Sequence, residues 1–228
     1  KRLFANISAF QTASFSFLLI AGFLVMTGWS PSIMRAAVIS GFSLLAWYFG
    51  RKFQPLVLIL LGAAVTAFIS PLYIWGDVGW YLSFLAFTGV LLVAPLVLYF
   101  LGERVAKSLL LAILVETLAA QLLTLPYIAV IFGKISVISP LANVLVVPLI
   151  PLAMLLVFIT GIVGLVSPYL ALWVAVPAKL LMTFTVWVVE TLSSFRWSQI
   201  EVHVGTALAV VLYICMAAMV ILGWILYY

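Results

Sequence analysis

Residues 80–101 read WYLSFLAFTGVLLVAPLVLYFL, an apolar run without a single charge. A helix of that length rises about 33 Å at about 1.5 Å per residue, enough to cross the roughly 30 Å hydrocarbon core of a bilayer. A strand is excluded as the repeating element, because the run shows no sustained alternation and far exceeds a barrel strand. The segment therefore predicts a transmembrane helix, whose backbone groups are satisfied internally.

The rest of the chain has the same character. Its 228 residues are 68% hydrophobic and 7% charged, whereas roughly a quarter of the residues of a soluble domain are charged. At about 20 apolar residues per span, the length predicts an all-α, polytopic integral membrane helix bundle of about seven to nine transmembrane helices, with no room for a soluble catalytic domain. Ten Lys and Arg against five Asp and Glu give +5, an excess that in a polytopic chain is topological before it is functional. The single cysteine, Cys215, lies in an apolar run and reads as a core residue. It excludes an intramolecular disulfide and a cysteine metal cluster. No cleavable signal peptide is evident, and the first residue is Lys1, so the chain reads as a fragment of a longer protein.

Turn signals divide the chain. Spans are expected from about Ile7 to Thr27, Ile33 to Gly50, Leu56 to Trp75, Trp80 to Leu101 and Ser108 to Phe132, the last interrupted near Pro126. Further spans follow from about Tyr169 to Ser194 and from Val204 to Tyr228. Residues 135–166 are apolar but carry Pro140, Pro148 and Pro151. They fit a broken helix, a re-entrant segment followed by a full span, or two short spans. Charged or polar loops are expected at Gly102 to Lys107 and at Phe195 to Glu201, and Trp29, Trp47, Tyr48, Trp75, Trp80, Tyr99, Trp197, Trp224, Tyr227 and Tyr228 form an interfacial belt. Alternating the loops puts Lys1, Arg2, Arg51, Lys52, Arg104 and Lys107 on one face, which should be cytoplasmic, and Arg35, Lys134 and Arg196 on the other.

Catalytic chemistry finds no foothold. His203 is the only histidine and has no second histidine or cysteine to complete a metal site, and no phosphate-binding loop is present. The expectation is a protein without catalytic residues, metal or cofactor. What remains are intramembrane polar groups, which are costly in lipid and face a bundle interior or an aqueous cavity. Glu116, Thr117, Ala120, Gln121 and Thr124 share one helix face, as do Lys179, Thr183, Glu190 and Ser194 with Trp187 between. Gly62, Thr66 and Ser70 line a third helix, and Ala36, Ser40 and Ser43 line a fourth beside Arg35. For the small residues, close helix packing is the simpler reading. For Glu116, Lys179 and Glu190 a cavity-lining role and an ion pair stand side by side. Arg35 and Lys179 could also snorkel to the interface from helix ends.

Three segments carry a family resemblance. Gly28-Trp29-Ser30-Pro31-Ser32-Ile33-Met34-Arg35-Ala36-Ala37 resembles the Ser-Pro-Ser-x-x-Arg-Ala stretch of the ComEC competence family, inner-membrane DNA-uptake channels. Val78-Gly79-Trp80-Tyr81-Leu82-Ser83-Phe84-Leu85 is similar to the family's Gly-Phe-Gln-Leu-Ser-Phe element, with Trp80-Tyr81 in place of Phe-Gln. Leu123-Thr124-Leu125-Pro126, Phe132-Gly133 and Leu141-Ala142-Asn143-Val144-Leu145-Val146-Val147-Pro148 resemble its Leu-Thr-Leu-Pro, Phe-Gly and Leu-Ala-Asn-Leu-x-x-x-Pro block. The three occur in the family's order.

The resemblance implies one transmembrane competence-type domain over residues 1–228, without the OB-like and metallo-β-lactamase-like domains of many members. It implies a channel importing single-stranded DNA across the plasma membrane, served by an extracytoplasmic DNA receptor and a cytosolic ATP-driven, helicase-like motor. Arg35 and Lys179 would attract phosphate, and Ser30, Ser32, Ser83, Gln121, Thr124 and Asn143 would offer neutral hydrogen bonds along the DNA pathway. A DNA-width pore is tight for about eight helices, and a homodimer would relieve that. The rival reading is a secondary transporter of a small anion or lipid coupled through Glu116, Lys179 and Glu190.

Overall fold

The computed structural model describes residues 9–28, 30–52 and 54–227. The expected start of the first span at Ile7, the basic residues Lys1 and Arg2, and the belt residues Trp29 and Tyr228 lie outside them. The architecture is all-helical apart from one short ladder. Six helical stretches among the described residues are long and apolar enough to cross a membrane, at 9–26, 78–101, 109–132, 139–166, 168–193 and 206–227. The chain is a multi-pass membrane protein, and its candidate spans among the described residues number six rather than the expected seven to nine. Two expected spans account for the difference. Helix α2, Pro31–Tyr48, carries Arg35 and three serines, which lower its hydropathy. Helix α3, Pro55–Ile69, has only 15 residues, because Pro71 lacks the N–H to continue it and the chain restarts in the short helix α4, Leu72–Gly76.

The chain divides after Val93 into two compact units. The first contains α1 (Ala9–Met26), α2, α3, α4 and α5 (Val78–Thr88), which runs on into a π-helical turn at Gly89–Val93. Pro31 and Pro55 each begin their helix, where a missing N–H costs nothing and φ is already helical. The core is Ile39 of α2, Ile59 of α3 and Phe84 of α5, with Ala63, Trp80, Phe87, Leu91 and Leu92 packed around it. Gly62 makes this approach possible, since a Cβ there would stand 2.7 Å from Ile39 Cγ1. Four residues on, Thr66 is fully buried and its hydroxyl donates to Gly62 O at 2.8 Å. The Gly62, Thr66 stripe is thus a packing face. Gly62→Ala is expected to cost about 1–3 kcal/mol through overpacking. Adding Ile39→Ala should recover part of that loss, a non-additivity readable by thermal unfolding in detergent.

The second unit contains α6 (Ala94–Leu101), α7 (Glu103–Lys107), α8 (Leu109–Phe132), α9 (Ser139–Val146), α10 (Ile150–Val166), α11 (Pro168–Ser193) and α12 (Thr206–Tyr227). The expected charged loop at 102–107 is largely the helical turn α7, with Glu103 and Lys107 paired one turn apart. Helix α8 passes through Pro126 without a break and ends on Gly133, whose φ of 65° is the left-handed conformation that closes helices. Residues 139–166 resolve as one broken helix, α9 and α10 joined by a 3-10 turn at Val147–Leu149, where Pro148 and Pro151 crowd the backbone. Strands β1 (Lys134–Ser136) and β2 (Gln199–Glu201) pair antiparallel, with Ile135 opposite Ile200. This ladder corrects the expectation that 135 begins a helical segment and that 195–201 is only a loop. Three-residue strands are too short to show an alternating pattern. Cys215 is exposed on α12 rather than in the core. Many large apolar side chains are also exposed, as on a lipid-facing surface, among them Phe15, Leu18, Phe68 and Leu165.

Candidate functional site: a serine-lined groove

In the first unit, α1, α2, α5 and the π-turn enclose an open groove of about 850 Å³, within the size range of ligand cavities. Its walls are mostly apolar, including Ile39, Phe87 and Leu91, but five serines line it: Ser16, Ser32, Ser40, Ser43 and Ser83. On α2 the residues Ser32, Ala36, Ser40 and Ser43 recur every three or four positions, so one helical face supplies the longest polar strip. A smaller groove of about 460 Å³ opens on the same strip and shares Ser32, Ala36 and Ser40. The strip that invited a packing interpretation is therefore cavity lining.

The state of these hydroxyls distinguishes them. Thr66, Thr88, Thr124, Thr160 and Thr185 each donate to a carbonyl four residues back in their own helix, the usual disposal of a hydroxyl in an apolar bundle. None of the five groove serines is hydrogen-bonded among the described residues. Their donors and acceptors are available to whatever occupies the groove.

Two of the three segments quoted above meet at its edge. Arg35 is 97% buried, since only 3% of it is exposed, and its Nη1 lies 3.0 Å from Asp77 Oδ2. Its Nε is buried without a partner. Arg35 therefore does not snorkel to the interface, and its charge is matched within the chain. Asp77, in the short link between the spans expected to end at Trp75 and to begin at Trp80, is the residue that the sequence reading overlooked. Beside it, Trp80 Nε1 donates to Thr66 Oγ1 at 3.0 Å, and the Trp80 ring lies 4.9 Å from that of Phe84. Trp80→Phe removes this bond and leaves a buried hydroxyl with one partner fewer; an expected loss of about 1 kcal/mol is measurable by thermal unfolding. Ser30 precedes α2, half-buried, and its side chain makes no capping bond.

The other expected pathway residues belong to the second unit. Gln121 of α8 is committed to the fold, its Nε2 donating to Ser136 O of β1 at 2.8 Å. Thr124 is buried and bonded back to Ala120 O and Gln121 O. Asn143 is half-buried on α9. Glu116, Lys179 and Glu190 lie within α8 and α11, exposed, with no ion pair among the described residues. The structure thus brings Ser32 and Ser83 together in one groove, with Arg35 next in sequence to the lining residue Ala36 but not itself lining it, and leaves the remaining six candidates other than Ser30 outside it. No group of three His, Cys, Asp or Glu side chains able to hold a metal occurs among the described residues.

The sequence as a whole matches the model of one family, described as Competence protein, over residues 2–227. The chain belongs to the Competence protein family. The match spans both units and agrees with the resemblance of the three short segments. No curated protein and no solved structure matches the chain. The serine groove, formed by α1, α2, α5 and the π-turn, takes Ser32 and Ala36 of its lining from the Ser-Pro-Ser-x-x-Arg-Ala stretch quoted above.

Proposed function

We propose that the chain conducts single-stranded DNA across the plasma membrane, and that the serine groove forms part of the route. The observation that carries this reading is the set of five unbonded hydroxyls in an open groove of a chain that belongs to the Competence family. A phosphate-bearing strand cannot cross hydrocarbon bare and needs hydrogen-bonding groups along its way. Hydroxyls suit transport because each holds a passing group weakly, and conduction requires release as much as binding. A chain of cations would bind the strand too firmly to let it slide.

The membrane potential opposes entry by about 2.3 kcal/mol per charge per 100 mV when the inside is negative. A passive conduit of this kind therefore needs a motor, and the proposal includes a cytosolic ATP-driven partner and an outer DNA receptor. The chain itself carries out no covalent chemistry. With Arg35 paired, Lys179 is the pathway candidate whose cation is left to meet a phosphate. Lys179→Gln is expected to flatten the dependence of log affinity for a single strand on log salt by about 0.7, the loss of one released counterion.

The test replaces the motor with an imposed potential. In proteoliposomes holding the purified chain, an inside-positive potential should drive a labelled single strand into the lumen without dependence on a proton or sodium gradient. Proton- or sodium-coupled flux of a small anion, with no strand entry at any potential, would replace the channel by the transporter.

A further inference from the structure

We propose that Arg35 and Asp77 form a clamp that sets the opening of the serine groove, so that Asp77 is a positioning residue and Arg35 is not a phosphate ligand. The inference rests on the groove reading of the preceding subsection. Arg35 sits on α2 one turn after Ser32, and Asp77 immediately precedes α5, which carries Ser83. The 3.0 Å contact between Arg35 Nη1 and Asp77 Oδ2 joins residues 42 positions apart and ties together the two helices whose serines face the same space.

The surroundings fit a fixed pair. Arg35 is only 3% exposed, so a phosphate would have to displace Asp77 and enter a desolvated site to reach it. Gly79 forms the seat: a Cβ there would stand 3.0 Å from Asp77 Oδ1 and 3.3 Å from Arg35 Nη2. A side chain at 79 would therefore press on both partners and require them to give by a few tenths of an ångström. The planar guanidinium also holds a defined direction that a lysine would not reproduce. The consequence is a distance between α2 and the start of α5 that is held by a pair of residues that do not line the groove.

The experiment reads groove geometry without DNA. In a Cys215→Ala background, Ser32→Cys and Ser83→Cys are joined by bifunctional thiol reagents of graded length, and the yield per length is recorded. Arg35→Asp and Asp77→Arg alone should each shift the preferred length and lower strand entry about tenfold, and the double exchange should restore both toward the parent, a coupling of the size double-mutant cycles resolve. Should the single reversals fail to insert, Arg35→Gln with Asp77→Asn asks the same question with an uncharged hydrogen-bonding pair. A double variant closer to the parent profile than either single supports the clamp, and a purely additive profile overturns it.

Arg35→Lys gives the second readout. The clamp predicts a changed cross-link profile and reduced entry although the charge is kept. An unchanged profile, with Asp77→Asn binding single strands more tightly, would establish Arg35 as a phosphate ligand and overturn the proposal. Because cross-linking is measured without DNA, it judges the clamp even if no variant, including the parent, passes a strand.

Discussion

Placing tryptophan at Ala36 is expected to abolish strand entry while leaving the chain inserted and folded. Ala36 lies between Ser32 and Ser40 on the polar strip, and both grooves share it. Its surroundings are open rather than packed, so an indole there meets empty space and not a neighbour. Exposed substitutions of this kind change stability by no more than about 0.5 kcal/mol. Transport responds differently, because a conduit fails at its narrowest point. Leu18→Trp on α1 is the control, since Leu18 is exposed and lines neither groove. Strand entry should fall below detection for the first variant and match the parent for the second, at equal protein in the membrane.

The second large effect concerns stability. Asp77→Ala leaves the buried Arg35 guanidinium without its counter-charge. Removing one partner of a buried ion pair costs about 3–5 kcal/mol. Asp77 retains 28% exposure, so water can partly replace the carboxylate and the cost should fall near the lower bound, about 3 kcal/mol. Replacing both members, Arg35→Met with Asp77→Ala, removes the orphaned charge along with the pair and should recover most of that loss. Reversible unfolding of the detergent-solubilised protein measures both. A loss under about 0.5 kcal/mol for Asp77→Ala would place the pair among ordinary surface contacts.

How much of this was legible in the sequence depends on the range of the interaction. The spans at 78–101, 109–132, 168–193 and 206–227 follow from uninterrupted apolar length, a local property. The third expected span ran through Ser70-Pro71 because composition alone does not register that a proline ends α3. Periodicity placed Ala36, Ser40 and Ser43 on one face. It could not say whether that face met another helix or a cavity, because that depends on where α1 and α5 lie. The same limit applied to Arg35: its family segment drew attention to it, but its partner is 42 residues away in a turn with no periodic signal. Gln121 was legible as an intramembrane amide, whereas its bond to Ser136 O depends on a three-residue strand that no pattern announces. Ser16 was overlooked because it is one of several polar residues near the start of α1, with Thr12 and Ser14, and only the placement of α2 and α5 shows which of them lines a cavity.

The central claim is that a DNA strand passes along the five serines. Cysteine accessibility tests it most directly. In a Cys215→Ala background, Ser40→Cys and Ser83→Cys are reacted with a membrane-impermeant thiol reagent, with and without a single strand stalled in transit, and Leu18→Cys, exposed in the middle of the apolar helix α1 and outside both grooves, serves as the control. Both groove positions should react readily and be protected by the stalled strand, while the control stays unreactive in either condition. Groove cysteines that react equally with and without the strand, although strand import itself proceeds, would contradict the account.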